Sequence, residues 1–134
     1  MATYNCFFDA SHSTTITRGA FHVSQGDDLI KQSIAKLNAK TPDMAEAEIL
    51  HKLLDFIKLN IEFGSKINIY GDALSIIHSI IKGDKGSKRY KNIRKKYNRL
   101  IEHYDLSIEF IPRKMNKHAH YLAKKGNIAT KVIS

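Results

Sequence analysis

The chain has 134 residues, of which 43% are hydrophobic and 26% charged, and this composition excludes a disordered or fibrous protein. Its length predicts a single domain over residues 1–134, with a core at about 2–126 and a short C-terminal tail. No apolar run approaches the ~20 residues of a membrane span, and the first residues lack the basic segment of a signal peptide.

Cysteine usage and charge narrow the class of protein further. Cys6 is the single cysteine, which excludes an internal disulfide and predicts a cytoplasmic protein. No membrane partner is expected, and no obligate protein partner is inferred. The net charge of +9 is concentrated in residues 82–99, which hold nine Lys and Arg residues and one Asp. Such a patch indicates binding of a polyanion. The alternative is a solvated helix face.

Three β-prone segments open the chain, at residues 3–9, 14–23 and 29–37. Apolar and polar residues alternate in the first of them, as in a half-buried strand. The Ser-Gln-Gly-Asp-Asp stretch between the second and third supplies turn residues. We therefore expect an antiparallel meander of three strands.

A helical period replaces this alternation over residues 42–61. Thr41 and Pro42 suit the N-cap and the first helical position, and Gly64 is the predicted stop. Five apolar residues form one stripe along the helix, namely Leu50, Leu53, Leu54, Ile57 and Ile61.

The second half alternates strands and helices. We expect strands at residues 66–70 and 106–111, helices at 73–82 and 87–104, and a final helix within 116–126. The order β-β-β-α-β-α-α-β-α predicts an α/β fold of the mixed α+β kind. Its five-stranded mixed sheet would have three antiparallel strands plus two parallel ones, flanked by helices.

Two of the predicted strands end on a carboxylate, Asp9 and Asp72. The predicted crossover places these strands side by side and parallel, so both carboxylates fall at the rim where α/β sheets bind ligands. Adjacent carboxylates repel unless a cation or a proton lies between them, and Mg²⁺ prefers such oxygen ligands. The alternatives are a turn between Asp9 and Ser11 and a helix cap by Asp72.

A third carboxylate, Glu46, lies in the first turn of the helix at 42–61, on the face that leads into the apolar stripe. Glu48 is about 200° around the helix and is expected to face solvent. The alternative for Glu46 is a capping box with Asp43.

The ordered motifs resemble type 1 ribonuclease H, and most closely its short reverse-transcriptase-like branch. They are Asp-x-Ser after the first strand, Ala-Glu at a helix start, Gly-Asp ending a strand, and Asn-x-x-Ala-x-x-Leu-Ala-Lys after the fifth strand. The resemblance runs from about residue 2 to residue 126 and implies a ribonuclease H-like fold. It implies that Asp9, Glu46 and Asp72 are the catalytic metal ligands, and it selects Glu46 over Glu48.

The resemblance also implies the reaction, which is endonucleolytic hydrolysis of the RNA strand of an RNA–DNA hybrid by two Mg²⁺ or Mn²⁺ ions. Recognition would rest on 2′-hydroxyls and backbone shape. The residues expected to contact the nucleic acid are Ser11, Lys88, Arg89, Lys91, Arg94, Lys95, Lys96 and Asn116.

The chain departs from the family pattern at His120, which stands where the family has a fourth carboxylate. We predict it to be a fourth catalytic residue and metal ligand, better suited to Mn²⁺ than to Mg²⁺. The alternative is a rim residue with no ligand role. Two other functions stay open: a hybrid-binding protein with weak or no catalysis, and a nuclease that acts on structured DNA.

Overall fold

The computed structural model describes residues 2–125, and the predicted C-terminal tail lies outside this range. The sheet is built from five strands, β1 (Thr3–His12), β2 (Thr17–Gln25), β3 (Asp28–Lys36), β4 (Lys66–Gly71) and β5 (Asp105–Phe110). The α-helices are α1 (Pro42–Asn60), α2 (Leu74–Lys82), α3 (Lys91–Ile101) and α4 (Lys117–Lys125). Single 3₁₀ turns follow α2, precede α3 and precede α4.

The strand order across the sheet is β3-β2-β1-β4-β5. β1 and β2 pair antiparallel, as do β2 and β3, whereas β1 pairs parallel with β4 and β4 with β5. The predicted mixed sheet of three antiparallel and two parallel strands is thus confirmed. β1, central in the sheet, is the strand that both halves share.

The two faces of the sheet are covered unequally. α1 begins at the predicted N-cap, where Thr41 Oγ1 accepts a hydrogen bond of 3.2 Å from the Met44 amide. Its apolar stripe fills the main core, and α4 covers part of the opposite face through a small cluster with Ala20. The buried α1 residues are Ala45, Ala47, Ile49, Leu50, Leu53, Leu54 and Ile57.

Several element boundaries differ from the predicted ones for local reasons. β1 continues three residues past Asp9 because β2 still pairs with it, up to the contact between His12 and Thr17. α3 begins at Lys91 rather than at residue 87, because Tyr90 has φ −106° and ψ 16° and interrupts the helix. No helix within residues 2–125 combines the length and the apolar character that a membrane crossing requires.

Candidate active site

The parallel pairing of β1 and β4 brings Asp9 and Asp72 together. Phe8 and Gly71 are the last pair of this ladder, and each Asp is the next residue of its chain segment. Asp9 lies inside β1, so it does not form the alternative turn with Ser11. Asp72 does not cap α2, because the N-cap position is Ala73 and no side chain bonds the first turn.

Glu46 reaches the same rim from α1. The Ala10 amide donates a 3.2 Å hydrogen bond to Glu46 Oε1, which ties this side chain to β1 beside Asp9. Thr41 is the N-cap of α1, and its side chain satisfies the Met44 amide. The capping box between Glu46 and Asp43 is therefore not formed.

Asp9, Glu46 and Asp72 form a carboxylate triad. One oxygen from each lies within 4.8 Å of the others. Asp9 Oδ1, Glu46 Oε2 and Asp72 Oδ2 are buried and have no hydrogen-bond partner. Burying carboxylate oxygens of like charge without hydrogen-bond partners is unfavourable in free energy. The triad thus fits a hard divalent cation, which such oxygens coordinate.

Burial and the closeness of the three carboxylates affect the pKa values of two of them, Glu46 and Asp72. Burial raises the pKa of Glu46 to about 10, and the charges of Asp9 and Asp72 add to this effect. Burial first and Asp9 second also raise the pKa of Asp72, whereas Arg113 lowers it. The site therefore disfavours three negative charges in the absence of a bound cation.

His120 lies beside the triad but contacts only one member of it. Its Nδ1 is 2.8 Å from Asp9 Oδ2. Because a carboxylate oxygen is an acceptor, Nδ1 carries a proton and donates the hydrogen bond in this contact. Among residues 2–125, the grouped ligand atoms belong to Asp9, Glu46 and Asp72 alone.

Arg113 also reaches the site, although it is not among the site residues predicted from the sequence. It lies in the 3₁₀ turn Arg113–Met115 after β5, and its Nε is 3.5 Å from Asp72 Oδ2. A signal was present in the sequence. Arg113 is the first basic residue after β5, and β5 pairs with β4, the strand that Asp72 directly follows.

Glu48 is not part of the triad, and its side-chain contact lies at the protein surface, in line with the expectation that it faces solvent. The residue is half-buried, and its Oε1 accepts a 3.1 Å hydrogen bond from the Asn38 amide. Glu48 therefore stabilises the connection between β3 and α1. It is not one of the grouped metal-ligand candidates.

The residues predicted to contact nucleic acid separate into three groups. Lys88, Lys91 and Lys95 are exposed beside the groove at the start of α3. Arg89 and Lys96 are engaged in ion pairs, of 3.1 Å with Asp43 and of 2.7 Å with Asp55. Ser11 is half-buried in β1, opposite Arg18 of β2.

Two of the predicted contacts are corrected, because their side chains are buried. Arg94 is 8% exposed, and its guanidinium donates to Ser79 Oγ at 2.6 Å and to the Ser87 carbonyl. Asn116 is 1% exposed, and its Nδ2 donates a 2.9 Å hydrogen bond to the Phe8 carbonyl. Arg94 therefore joins α2 to the turn before α3, and Asn116 joins the start of α4 to β1 beside Asp9.

Comparison with known families agrees with this geometry. A family model described as reverse transcriptase-like matches residues 8–126. The chain belongs to the reverse transcriptase-like family. The matched range includes the triad and His120, so the family that the motifs indicated is confirmed. No curated protein sequence matches the chain.

Solved structures share the fold of this reverse transcriptase-like chain. RNase H1 from the halophilic archaeon Halobacterium salinarum has a TM-score of 0.77 at 18% identity, over 92% of this chain and 96% of its own. The N-terminal RNase H domain of a Mycobacterium tuberculosis protein, fused to maltose-binding protein, has a TM-score of 0.76 at 15% identity, over 100% of both chains. LC11-RNase H1 in complex with an RNA/DNA hybrid has a TM-score of 0.74 at 16% identity, over 98% and 99%.

These likenesses establish the ribonuclease H fold. Together with the family match, they agree with the predicted enzyme class, a ribonuclease H-type hydrolase.

Proposed function

We propose that the protein is a metal-dependent endoribonuclease that hydrolyses the RNA strand of RNA–DNA hybrids. One observation carries the proposal: three carboxylates from distant parts of the chain meet within 4.8 Å, and each has a buried oxygen without a hydrogen-bond partner. A fold gains no stability from such a cluster of like charges, so the arrangement is best explained by a cationic ligand.

Asp9, Glu46 and Asp72 would hold Mg²⁺ or Mn²⁺, as a pair of ions, because oxygen-rich sites select these metals. When bound, such ions supply Lewis-acid catalysis of phosphodiester hydrolysis. The chain pre-orients two of the ligands. The Ala10 amide holds Glu46 Oε1 and leaves Oε2 free, and His120 holds Asp9 Oδ2 and leaves Oδ1 free.

His120 would act as a positioning residue and not as the fourth ligand predicted from the sequence. The His120 nitrogen near the triad is Nδ1, which donates a hydrogen bond to Asp9. A metal ion could bind Nδ1 only by displacing the proton of this hydrogen bond. A histidine that donates to a liganding carboxylate fixes the orientation of that carboxylate, as outer-shell partners commonly do.

Substitutions at His120 test this role. We expect His120→Ala to weaken Mn²⁺ binding or cleavage by roughly 10- to 100-fold, because Asp9 loses its orienting donor. His120→Asn keeps a donor and should lose less. His120→Asp adds an oxygen ligand, so we expect it to cleave better in Mg²⁺ than the wild type. Isothermal titration with Mn²⁺ and rates on a labelled hybrid measure both effects, and an unaltered His120→Ala protein would remove His120 from the site.

The substrate class rests on two further observations. LC11-RNase H1, which shares this fold over 98% of the chain, was solved with an RNA/DNA hybrid. The exposed Lys88, Lys91 and Lys95 lie in the strongly basic segment of the chain, where they suit a phosphate backbone. Discrimination between strands would use the 2′-hydroxyls, which only the RNA strand carries.

The test is a cleavage panel with one sequence as an RNA–DNA hybrid, an RNA duplex and a DNA duplex, in Mg²⁺ or Mn²⁺. We expect cuts only in the RNA strand of the hybrid, and binding that weakens as salt rises. Cuts in the DNA duplex would instead indicate a DNA nuclease. Hybrid binding without cleavage in either metal would indicate a binding protein, an alternative favoured by the histidine at position 120.

A further inference from the structure

The end of β5 places a cation at the mouth of the carboxylate triad. The Ile111 amide donates a 2.8 Å hydrogen bond to the Gly71 carbonyl, so the chain leaving β5 is fixed beside the residue that precedes Asp72. Pro112 then redirects the chain into the turn Arg113–Met115. This geometry brings the Arg113 side chain over Asp72.

The contact between Arg113 and Asp72 is asymmetric in burial. The Arg113 side chain is 71% exposed and that of Asp72 is 9% exposed, with Nε and Oδ2 3.5 Å apart. Oδ2 accepts no hydrogen bond from any group in the described part of the chain, so the contact is an ion pair without directional bonding. The guanidinium thus lies on the solvent side of a buried carboxylate oxygen.

Among the residues whose side chains the structure describes, Arg113 is also the one Lys or Arg at ion-pair distance from a triad carboxylate. The oxygen that it faces is one of those without a hydrogen-bond partner, which suit a divalent ion. Two cations near one oxygen repel each other, and an exposed arginine is long and free enough to move aside.

We propose that Arg113 is a built-in counter-ion of the metal site, which neutralises Asp72 in the metal-free protein and competes with the divalent ion for Oδ2. The inference rests on the proposed function only in that the triad binds a divalent cation. The affinity for the metal then depends on Arg113, in the turn after β5, as well as on the three ligands.

The first test is calorimetric titration of Mn²⁺ into the full chain without nucleic acid. We expect Arg113→Ala to bind Mn²⁺ roughly two- to fivefold more tightly than the wild type, the range of an exposed ion pair. The gain should shrink as salt rises, because added ions screen the competing charge. Lys114→Ala, which removes the same charge one residue further on, is the matched control and should stay close to the wild type.

Equal or weaker Mn²⁺ binding by Arg113→Ala than by the wild type would overturn the counter-ion role, while Mn²⁺ binding itself would still support the triad as a metal site. If none of the proteins binds Mn²⁺, the counter-ion role and the metal-dependent function both fall.

A second test needs no metal. Thermal unfolding in a chelator is compared for the wild type, Arg113→Ala, Asp72→Asn and the double variant. We expect Arg113→Ala to lower the midpoint in the wild-type background and to have little effect once Asp72 is neutral, because the pair interacts directly. Additive shifts would show that Arg113 does not neutralise Asp72 and would overturn the inference.

Discussion

Replacing Asp72 by Asn should abolish metal-dependent cleavage of an RNA–DNA hybrid, with a loss of roughly a thousandfold or more, as for a residue that acts as part of a catalytic unit. The amide keeps the shape of the side chain but loses the negative charge, and it can turn an N–H₂ group toward the cation. The rate on a labelled hybrid in Mg²⁺ and in Mn²⁺ measures the loss.

The same variant should be more stable than the wild type when metal is removed. Asp72 lies beside Asp9 and Glu46, and neutralising it relieves the repulsion that helps to raise the pKa of Glu46. We therefore expect a higher unfolding midpoint in a chelator together with lost activity. A gain in stability together with a loss of activity distinguishes a functional carboxylate from a structural one.

Asp27→Asn is the matched control for Asp72→Asn. Asp27 is exposed in the turn between β2 and β3, so the substitution changes the charge equally but away from the triad. We expect wild-type cleavage and wild-type metal binding from it. Normal cleavage by Asp72→Asn would rule out the assignment of Asp72, and inactivity of Asp27→Asn would show that net charge alone explains the loss.

The second large effect is expected at Gly71, where the two catalytic strands touch. A Cβ on Gly71 would lie 2.5 Å from Cε1 and 2.6 Å from Cζ of Phe8. The Phe8 ring is fully buried and cannot move into solvent. Gly71→Ala therefore forces the strands apart, at a cost of about 1–3 kcal/mol in the free energy of unfolding, typical of an overpacked core.

Because Phe8 and Gly71 directly precede Asp9 and Asp72, Gly71→Ala should also weaken Mn²⁺ binding. Gly26→Ala is the comparison. Gly26 has φ 61° with open space around it, so the substitution strains only a turn, by about 1 kcal/mol, and leaves the metal site intact. Chemical denaturation and calorimetry measure the two effects, and a Gly71→Ala protein with wild-type stability and affinity would contradict the close contact.

The sequence was sufficient to predict the sheet and the triad because both depend on local patterns. The alternation of apolar and polar residues identifies strands, and the helical period of apolar residues identifies helices. The crossover rule then places the first strand beside the fourth. Once those strands are neighbours, Asp9 and Asp72 must meet. Glu46 follows from its position on the apolar side of α1, and its bond from the Ala10 amide agrees with that placement.

The sequence was not sufficient where a side chain acts through a distant partner. Arg94 belongs to a basic run and was predicted to contact nucleic acid, yet its guanidinium donates to Ser79 and Ser87 inside the fold. Asn116 is buried against the carbonyl of Phe8, which is 108 residues away. The nitrogen that His120 presents to Asp9 likewise depends on how α4 docks, which no periodicity in the sequence encodes.

The unequal covering of the sheet gives the two parts of the site different resistance to partial opening. The triad is carried by β1, by the end of β4 and by α1, which share the large core. His120 instead lies on α4, which among the described residues contributes Leu122 and Ala123 to a small apolar cluster with Ala20, and Ile34 packs against that cluster. Segments with few buried contacts detach before the whole chain unfolds. Sub-global opening of α4 would therefore release Asp9 from His120 while the three carboxylates stay assembled, so metal retention and correct ligand orientation can be lost at different temperatures.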